Sequence, residues 1–271
     1  MKKPFGIMLA ALALGSAALA LAADAPKPTP SRPPTAADWA ALAKLPDWSG
    51  VWEVDWRGQR RVAPPPAAAG AAGGPPRMMR AQMKLKPQYQ AMAAAYRAGR
   101  QKGENIQGEG ANCVPPGLPG IMSQPYPIEF LFTPGKVVVL IEAYMQFRHI
   151  YTDGRKHPDD PDPTFMGDSI GHWEGDTLVV DSVGFNDTVQ ITPGVPHSDK
   201  LHIIERIRKV DPEWMEIQTT LDDPDVLEEP YTTTASFHHL NDDIREYICV
   251  ENNHDSTDDK GRPGFSVEDK K

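Results

Sequence analysis

Two carboxylates in this sequence sit where strand patterning calls for an apolar residue. In Thr177–Val183, TLVVDSV, Asp181 breaks an apolar run. A carboxylate in such a strand is costly unless it is paired or hydrogen-bonded. In Leu201–Val210, alternation sets Leu201, Ile203, Glu205 and Ile207 against His202, Ile204, Arg206 and Arg208, so Glu205 is a second anomalous carboxylate on an apolar face. Arg148 and Arg206 are the cations able to pair with Asp181, either as a core staple or as the charged floor of a site. His197 stands just before the second strand. Two carboxylates sharing one interior favour split ionisation, which suits acid–base work. That reasoning ranks His197 first as general base and Asp181 and Glu205 next, with Arg148 stabilising developing negative charge.

Further polar groups could hold a substrate. If Lys136 to Tyr144 and Gln146 to Thr152 keep one alternation, one face carries Val137, Val139, Ile141, Ala143, Met145, Phe147, His149 and Tyr151 and is the packed side. The other begins apolar and then lines up Glu142, Tyr144, Gln146 and Arg148, the pattern of the polar end of a ligand cavity or of a plain solvent face. The following loop gathers Asp153, Arg155 and His157 around Gly154; Arg155 offers a fork for a carboxylate, although Asp153 could simply cap the turn and Arg155 neutralise it. Asn186 and Asp187 could bind a ligand or close a turn.

Several chemistries lack their signatures. The chain has no G-x-S-x-G elbow, phosphate loop, dinucleotide fingerprint or H-E-x-x-H. His238 and His239 are adjacent, so a strand sends them to opposite faces. Neither Cys sits in a metal-type cluster. No metal or cofactor is therefore expected.

Residues 1–23 begin with Lys2 and Lys3, continue as an uncharged apolar run and end in Ala20-Leu21-Ala22, the pattern of an export signal; an uncleaved anchor is the rival reading. Removing it takes away two of 28 basic residues and none of the 37 acidic ones, so the mature chain is more acidic than the full chain's −9. Nucleic acid and anionic lipid are poor partners for such a chain, and no second long apolar run suggests membrane insertion. A periplasmic or secreted product, of oligomeric state not set by the sequence, is the expectation. In an oxidising compartment Cys113 and Cys249 would close a disulfide; buried thiols are the alternative.

The elements that would position these groups follow from punctuation and period. A Pro-rich linker runs from residue 24, and Thr35 can cap a short helix through Leu45 with Trp39 and Leu42 on one side, the two together spanning 24–47. Trp48 to Trp56 reads as a first strand. A low-complexity insertion at 62–80 precedes a helix over Pro87 to Gln101, with Tyr89, Met92, Ala93 and Tyr96 as its core face. Strand then follows strand: Pro127 to Thr133, Lys136 to Tyr144, Gln146 to Thr152, Ser169 through His172, Thr177 to Val183, Leu201 to Val210, Trp214 to Leu221, Thr232 to His239 and Ile244 to Glu251. Residues 253–271 read as a disordered acidic tail. The fold class is mainly β, an antiparallel meander of about eight to ten strands over 48–252 closing into a lipocalin-like barrel, with one or two N-terminal helices. Gly50-Val51-Trp52 matches the G-x-W start of lipocalins.

The runs RHIYTDGRKHP (Arg148 to Pro158), GDSIGHWEGDTLVVD (Gly167 to Asp181) with Gly184-Phe185-Asn186, and His197-Ser198 with Leu201 and Glu205-Arg206 resemble a large group of secreted bacterial proteins of no settled reaction. The resemblance covers roughly Cys113 to Asn252 and implies a secreted product without naming a substrate. Together these readings give an exported barrel enclosing a small organic molecule with an aromatic or apolar body. Arg148, Asp181, His197 and Glu205 would meet its polar end, and Glu142, Tyr144, Arg155, His157, Asn186 and Arg206 would assist binding. Cofactor-independent lyase, isomerase or hydratase chemistry could run there; a non-catalytic ligand binder or an envelope scaffold with a filled interior is the alternative.

Overall fold

The computed structural model describes residues 33–55, 58, 82–102, 113–249, 255–257 and 263–265. The export-signal reading of 1–23, the linker up to residue 32, Trp56 at the end of the expected first strand, the whole 62–80 insertion and the last expected strand residues, Val250 and Glu251, lie outside the described residues.

Nine strands close the expected barrel: β1 (Val51–Val54), β2 (Ile128–Thr133), β3 (Lys136–Ile141), β4 (Gln146–Tyr151), β5 (Asp168–Glu174), β6 (Thr177–Val183), β9 (His202–Asp211), β10 (Trp214–Asp222) and β11 (Tyr231–Leu240). They follow one another round the wall in chain order, and β11 pairs with β1 to remove the last edges. β7 (Gln190–Thr192) and β8 (Val195–Pro196) form a separate hairpin between β6 and β9. The meander departs from strict antiparallel order once: β4 and β5 run parallel and share only two registered pairs, Ile150 with Ser169 and Tyr151 with Ile170. A parallel neighbour needs a crossover, and residues 152–167 supply it.

Gly50 shows why the G-x-W start needs its glycine. Its φ is +102°, and a Cβ there would sit 2.2 Å from His239 Nε2. Trp48 and Trp52 are buried, as period two required, and Trp48 meets Phe130, Phe132 and Trp173 with ring centroids 5.1–5.5 Å apart. These aromatics fill one end of the barrel. The other end, where β6 stops and β9 begins, is occupied by buried Leu118, Ile121, Val189 and Val226 from the connecting segments and by Val195 of β8. Between them Val139, Ile150, Val180, Ile203, Ile207 and Met215 are each at most 1 % exposed. Side chains therefore fill the middle as well as both ends.

Several expected elements are corrected. The first helix, α1, covers Ala36–Leu42; Thr35 and Asp38 form a reciprocal capping box, but Trp39 is 52 % exposed and no α1 residue is buried. The second, α2 (Pro87–Gln101), starts at its proline as expected, yet buries Ala93 and Gly99 and leaves Met92 42 % exposed. β3 stops at Ile141 instead of running to Tyr144, because a turn over Glu142–Met145, with φ of 58° at Tyr144 and 50° at Met145, breaks the strand. Ile244 to Cys249 forms no strand. In the tail expected to lack structure, the backbones of β12 (Asp255–Thr257) and β13 (Pro263–Phe265) pair.

Cys113 and Cys249 are joined, with Cα atoms 5.6 Å apart across 136 residues of sequence. By chain entropy a loop of that size is worth roughly 3–5 kcal/mol. Cys113→Ser, or reduction, should lower the unfolding free energy by that amount in urea titrations. An unchanged urea midpoint would show that the bond contributes nothing.

Candidate functional site

The turn at Glu142–Met145 decides which polar side chains reach the interior. It reverses the alternation, so Phe147 is 60 % exposed, while Arg148 at 1 % and Ile150 at 0 % turn inward. The expected face is thus wrong beyond Ala143. Of the row Glu142, Tyr144, Gln146 and Arg148, only Arg148 enters the barrel. Glu142 accepts from Arg245 N–H at 2.8 Å, Tyr144 packs 5.5 Å from Tyr247, and Gln146 donates to the Tyr144 carbonyl. Burial and the neighbouring Tyr126 push the Tyr247 phenol up to about 12.

Inside, Arg148 meets Glu205, the carboxylate that alternation placed on the apolar face. Arg148 Nη2 lies 2.6 Å from Glu205 Oε2, and both side chains are 1 % exposed. Arg148 also donates through Nε to Ser169 Oγ at 3.2 Å and through Nη2 to Ser182 Oγ at 2.8 Å; the two serines share a 2.8 Å bond. One residue each from β4, β5, β6 and β9 is thereby joined. The network is incompletely satisfied: Arg148 Nη1 has no hydrogen-bond partner among the described residues, and Glu205 Oε2 makes an ionic contact without a well-directed hydrogen bond.

Asp181 lies elsewhere. The inward face of β6 is Leu178, Val180 and Ser182, each fully buried, whereas Asp181 points outward at 37 % exposure. Both faces of TLVVDSV are apolar enough that alternation could not assign the carboxylate. The expected two-carboxylate interior is therefore replaced by one carboxylate and one arginine. Asp181 contacts neither Arg148 nor Arg206. Its partners are His157 Nε2 at 3.5 Å and His202 Nδ1 at 3.2 Å. His157 in turn holds Asp168 through Nδ1 at 2.6 Å. The outer wall thus carries a chain Asp168–His157–Asp181–His202, drawn from β5, the crossover, β6 and β9.

His197, the first-ranked general base, sits in the loop ahead of β9. Its Nδ1 lies 2.7 Å from the Ser198 carbonyl and its Nε2 2.9 Å from the Asn186 carbonyl, so both nitrogens are committed to the backbone. Asn186 otherwise holds Thr188 through its side-chain oxygen. Arg206 pairs with Glu174 at 2.8 Å on the surface. The Arg155 guanidinium grips Asp153 at 2.6 Å and holds its carboxyl below the usual range, and it also stacks over Tyr151 at 3.7 Å. His149, on the same outer face, is lowered by burial and then by Lys136.

Residues not singled out from sequence prove central: Asp168, Ser169, Ser182, His202 and Asp223. The serines share inward parity with Glu205, a signal alternation could have supplied once the strand faces were known. Asp223, fully buried, accepts from the Ser198 amide and hydroxyl, each at 2.7 Å, and from the amides of Asp225 and Val226. It braces the loops at one barrel end.

Beside those loops an open cleft of about 470 Å³ lies between α2 and the β7–β8 hairpin, lined by Met92, Ala95, Tyr96, Asp187, Gln190, Gly194 and Pro196. Gly194, at φ +82°, lets the hairpin approach; a Cβ there would come within 2.4 Å of Tyr96. The architecture is a closed, mainly β barrel of lipocalin-like form. Among known proteins, no family model, curated protein or solved structure matches the chain.

Breaking a buried pair strands the remaining charge and costs about 3–5 kcal/mol, whereas apolar replacement of both partners is often neutral. Arg148→Met and Glu205→Leu should each destabilise by about that amount in denaturant titrations, and the double variant should regain most of the loss. Additive losses would refute the coupling.

Proposed function

We propose that this is an exported barrel protein that binds a small organic molecule with an apolar or aromatic body in the cleft between α2 and the β7–β8 hairpin. The observation that carries the reading is the cleft itself, about 470 Å³ beside a barrel whose interior is filled by side chains. That volume falls within the range of small-molecule sites, about 300–1,000 Å³. Met92, Ala95, Tyr96 and Pro196 offer an apolar wall, while Asp187 and Gln190 offer a polar end. Export is supported by the charged-then-apolar start of the sequence and by the Cys113–Cys249 bond. Among the described residues no helix is long and apolar enough to cross a membrane. The resemblance of the Arg148 to Arg206 motifs to secreted bacterial proteins points the same way.

A second reading, a proton-transferring lyase or isomerase, is favoured by one contact. Asp168 holds the His157 ring through Nδ1 and turns Nε2 toward the Asp181 carboxylate at 3.5 Å, the carboxylate-oriented arrangement of a proton-transferring imidazole. In that reading His157→Gln abolishes turnover while ligand affinity stays within about tenfold.

The binding reading is tested by a thermal-shift screen of aromatic and lipid-derived compounds, followed by Ala95→Trp. Ala95 is exposed, so the indole fills the cleft without disturbing the core. A ligand present at about 100-fold its Kd stabilises the wild type by about 2.7 kcal/mol; the variant should keep its unliganded melting point and lose the shift. Equal shifts in both proteins, or none across the library, would rule the cleft out.

A further inference from the structure

We infer that the cleft between α2 and the β7–β8 hairpin takes amphipathic amines, a protonated or quaternary nitrogen on an apolar or aromatic body, with the nitrogen set against Asp187 and Tyr96. The inference rests on the binding reading proposed above for the same cleft and names the charge of its ligand.

The first observation is the charge of the lining. Among the residues that line the cleft, Asp187 alone carries a charge. Its carboxylate has no hydrogen-bond or ion-pair partner among the described residues. Other acidic groups on the surface are taken: Asp225 by Lys200, Glu174 by Arg206 and Asp153 by Arg155. A carboxylate left open beside an apolar wall attracts a cation and disfavours a ligand carboxylate. The chain's net charge of −9 acts in the same direction, because a negative field gathers cations and repels anions.

The second is the aromatic wall. Tyr96 is half-buried and held at its base: Gly194 packs so close that a Cβ there would lie 2.4 Å from Tyr96 Cβ, 2.5 Å from Cγ and 2.9 Å from Cδ2. A ring fixed in this way is a pre-organised surface, and an aromatic face is where an ammonium gains cation–π attraction. Met92 and Pro196 supply the apolar remainder of the wall. The unbranched thioether adapts to bodies of different outline.

The third is Gln190. Its Oε1 accepts from the Gly194 amide at 2.8 Å, so the acceptor of this side chain is turned to the hairpin and its N–H donors are left for a ligand. Gln190 thus meets a hydroxyl, ether or carbonyl of the ligand, and the ammonium falls to Asp187. The turn that carries Asp187 is braced on both sides. Asn186 Oδ1 accepts from the Thr188 amide at 3.1 Å and its hydroxyl at 2.6 Å, and the Asn186 carbonyl accepts from the Val189 amide.

The test uses the full mature chain and a panel of arylethylamines with phenyl, naphthyl and indolyl bodies, each matched with the alcohol and the carboxylate of the same body. Binding is read by titration calorimetry and by thermal shift. One exposed ion pair together with one cation–π contact should make each amine bind about tenfold more tightly than its alcohol, with the carboxylate the weakest of each trio. Asp187→Asn should bring amine and alcohol to within about threefold of one another, and Asp187→Glu should restore the preference. Asp187 is exposed, so neither change disturbs the core. Added salt should narrow the wild-type preference, because the pair is open to solvent. Alcohols bound as tightly as amines, carboxylates preferred, or an amine preference kept in Asp187→Asn each overturns the inference, and the cleft reading survives so long as Ala95→Trp still abolishes binding. Binding by no amine of the panel also overturns it, leaving the cleft to the wider screen. Amine binding that Ala95→Trp leaves intact brings down both.

Discussion

The ion pair between Arg148 and Glu205 is the constraint around which the wall of this barrel is organised. A sheet closed on itself has no edges, but here closure passes through a weak seam, the parallel junction of β4 and β5 with two registered pairs. Arg148 stands on β4 beside that seam and reaches Ser169 on β5, Ser182 on β6 and Glu205 on β9. Side-chain bonds join strands that the backbone ladder leaves loosely paired. Desolvating two charges is expensive, and the pair is weak evidence of net stability. What it supplies is position: a guanidinium with a directed fork is satisfied in few registers of four strands.

The same four strands carry the outer cluster, because successive strand residues point to opposite faces. Ser169 turns inward and Asp168 outward; Ser182 turns inward and Asp181 outward. The register that lets Arg148 span the two serines therefore also sets the separation of the two outer aspartates. The crossover 152–167, required by the parallel step, brings His157 back over the wall between them. An irregularity of topology thus delivers the one imidazole that regular strands do not.

How much of this was legible in the sequence depended on whether the signal was local. The Cys113–Cys249 bond, the helix cap at Thr35 and the inward Glu205 follow from residue type and period, and all are present. The partner of Glu205 was not legible, because the turn at Glu142–Met145 inverts the face of everything after it. No glycine marks that turn; Tyr144 and Met145 themselves take positive φ. Asp181 was misplaced for a different reason. Thr177, Val179 and Val183 resemble a core face as closely as Leu178 and Val180 do, so period two could not choose between them. Met92 looked like core by helical spacing, yet the residues that α2 buries are small ones, Ala93 and Gly99, and of these spacing singled out only Ala93.

A filled barrel changes what the fold can be used for. A lipocalin-like shape suggests a ligand held in the middle, but a ligand there would have to displace Val139, Ile150, Ile203 and Met215 from close packing. Each large side chain so expelled forfeits about 1.5–3 kcal/mol of burial, and the charges of Arg148 and Glu205 would need new partners. Few small molecules return that much. Space for a small molecule is therefore found outside the barrel, at the cleft between α2 and the β7–β8 hairpin. The filled interior holds the outward-facing residues of the wall at fixed spacing.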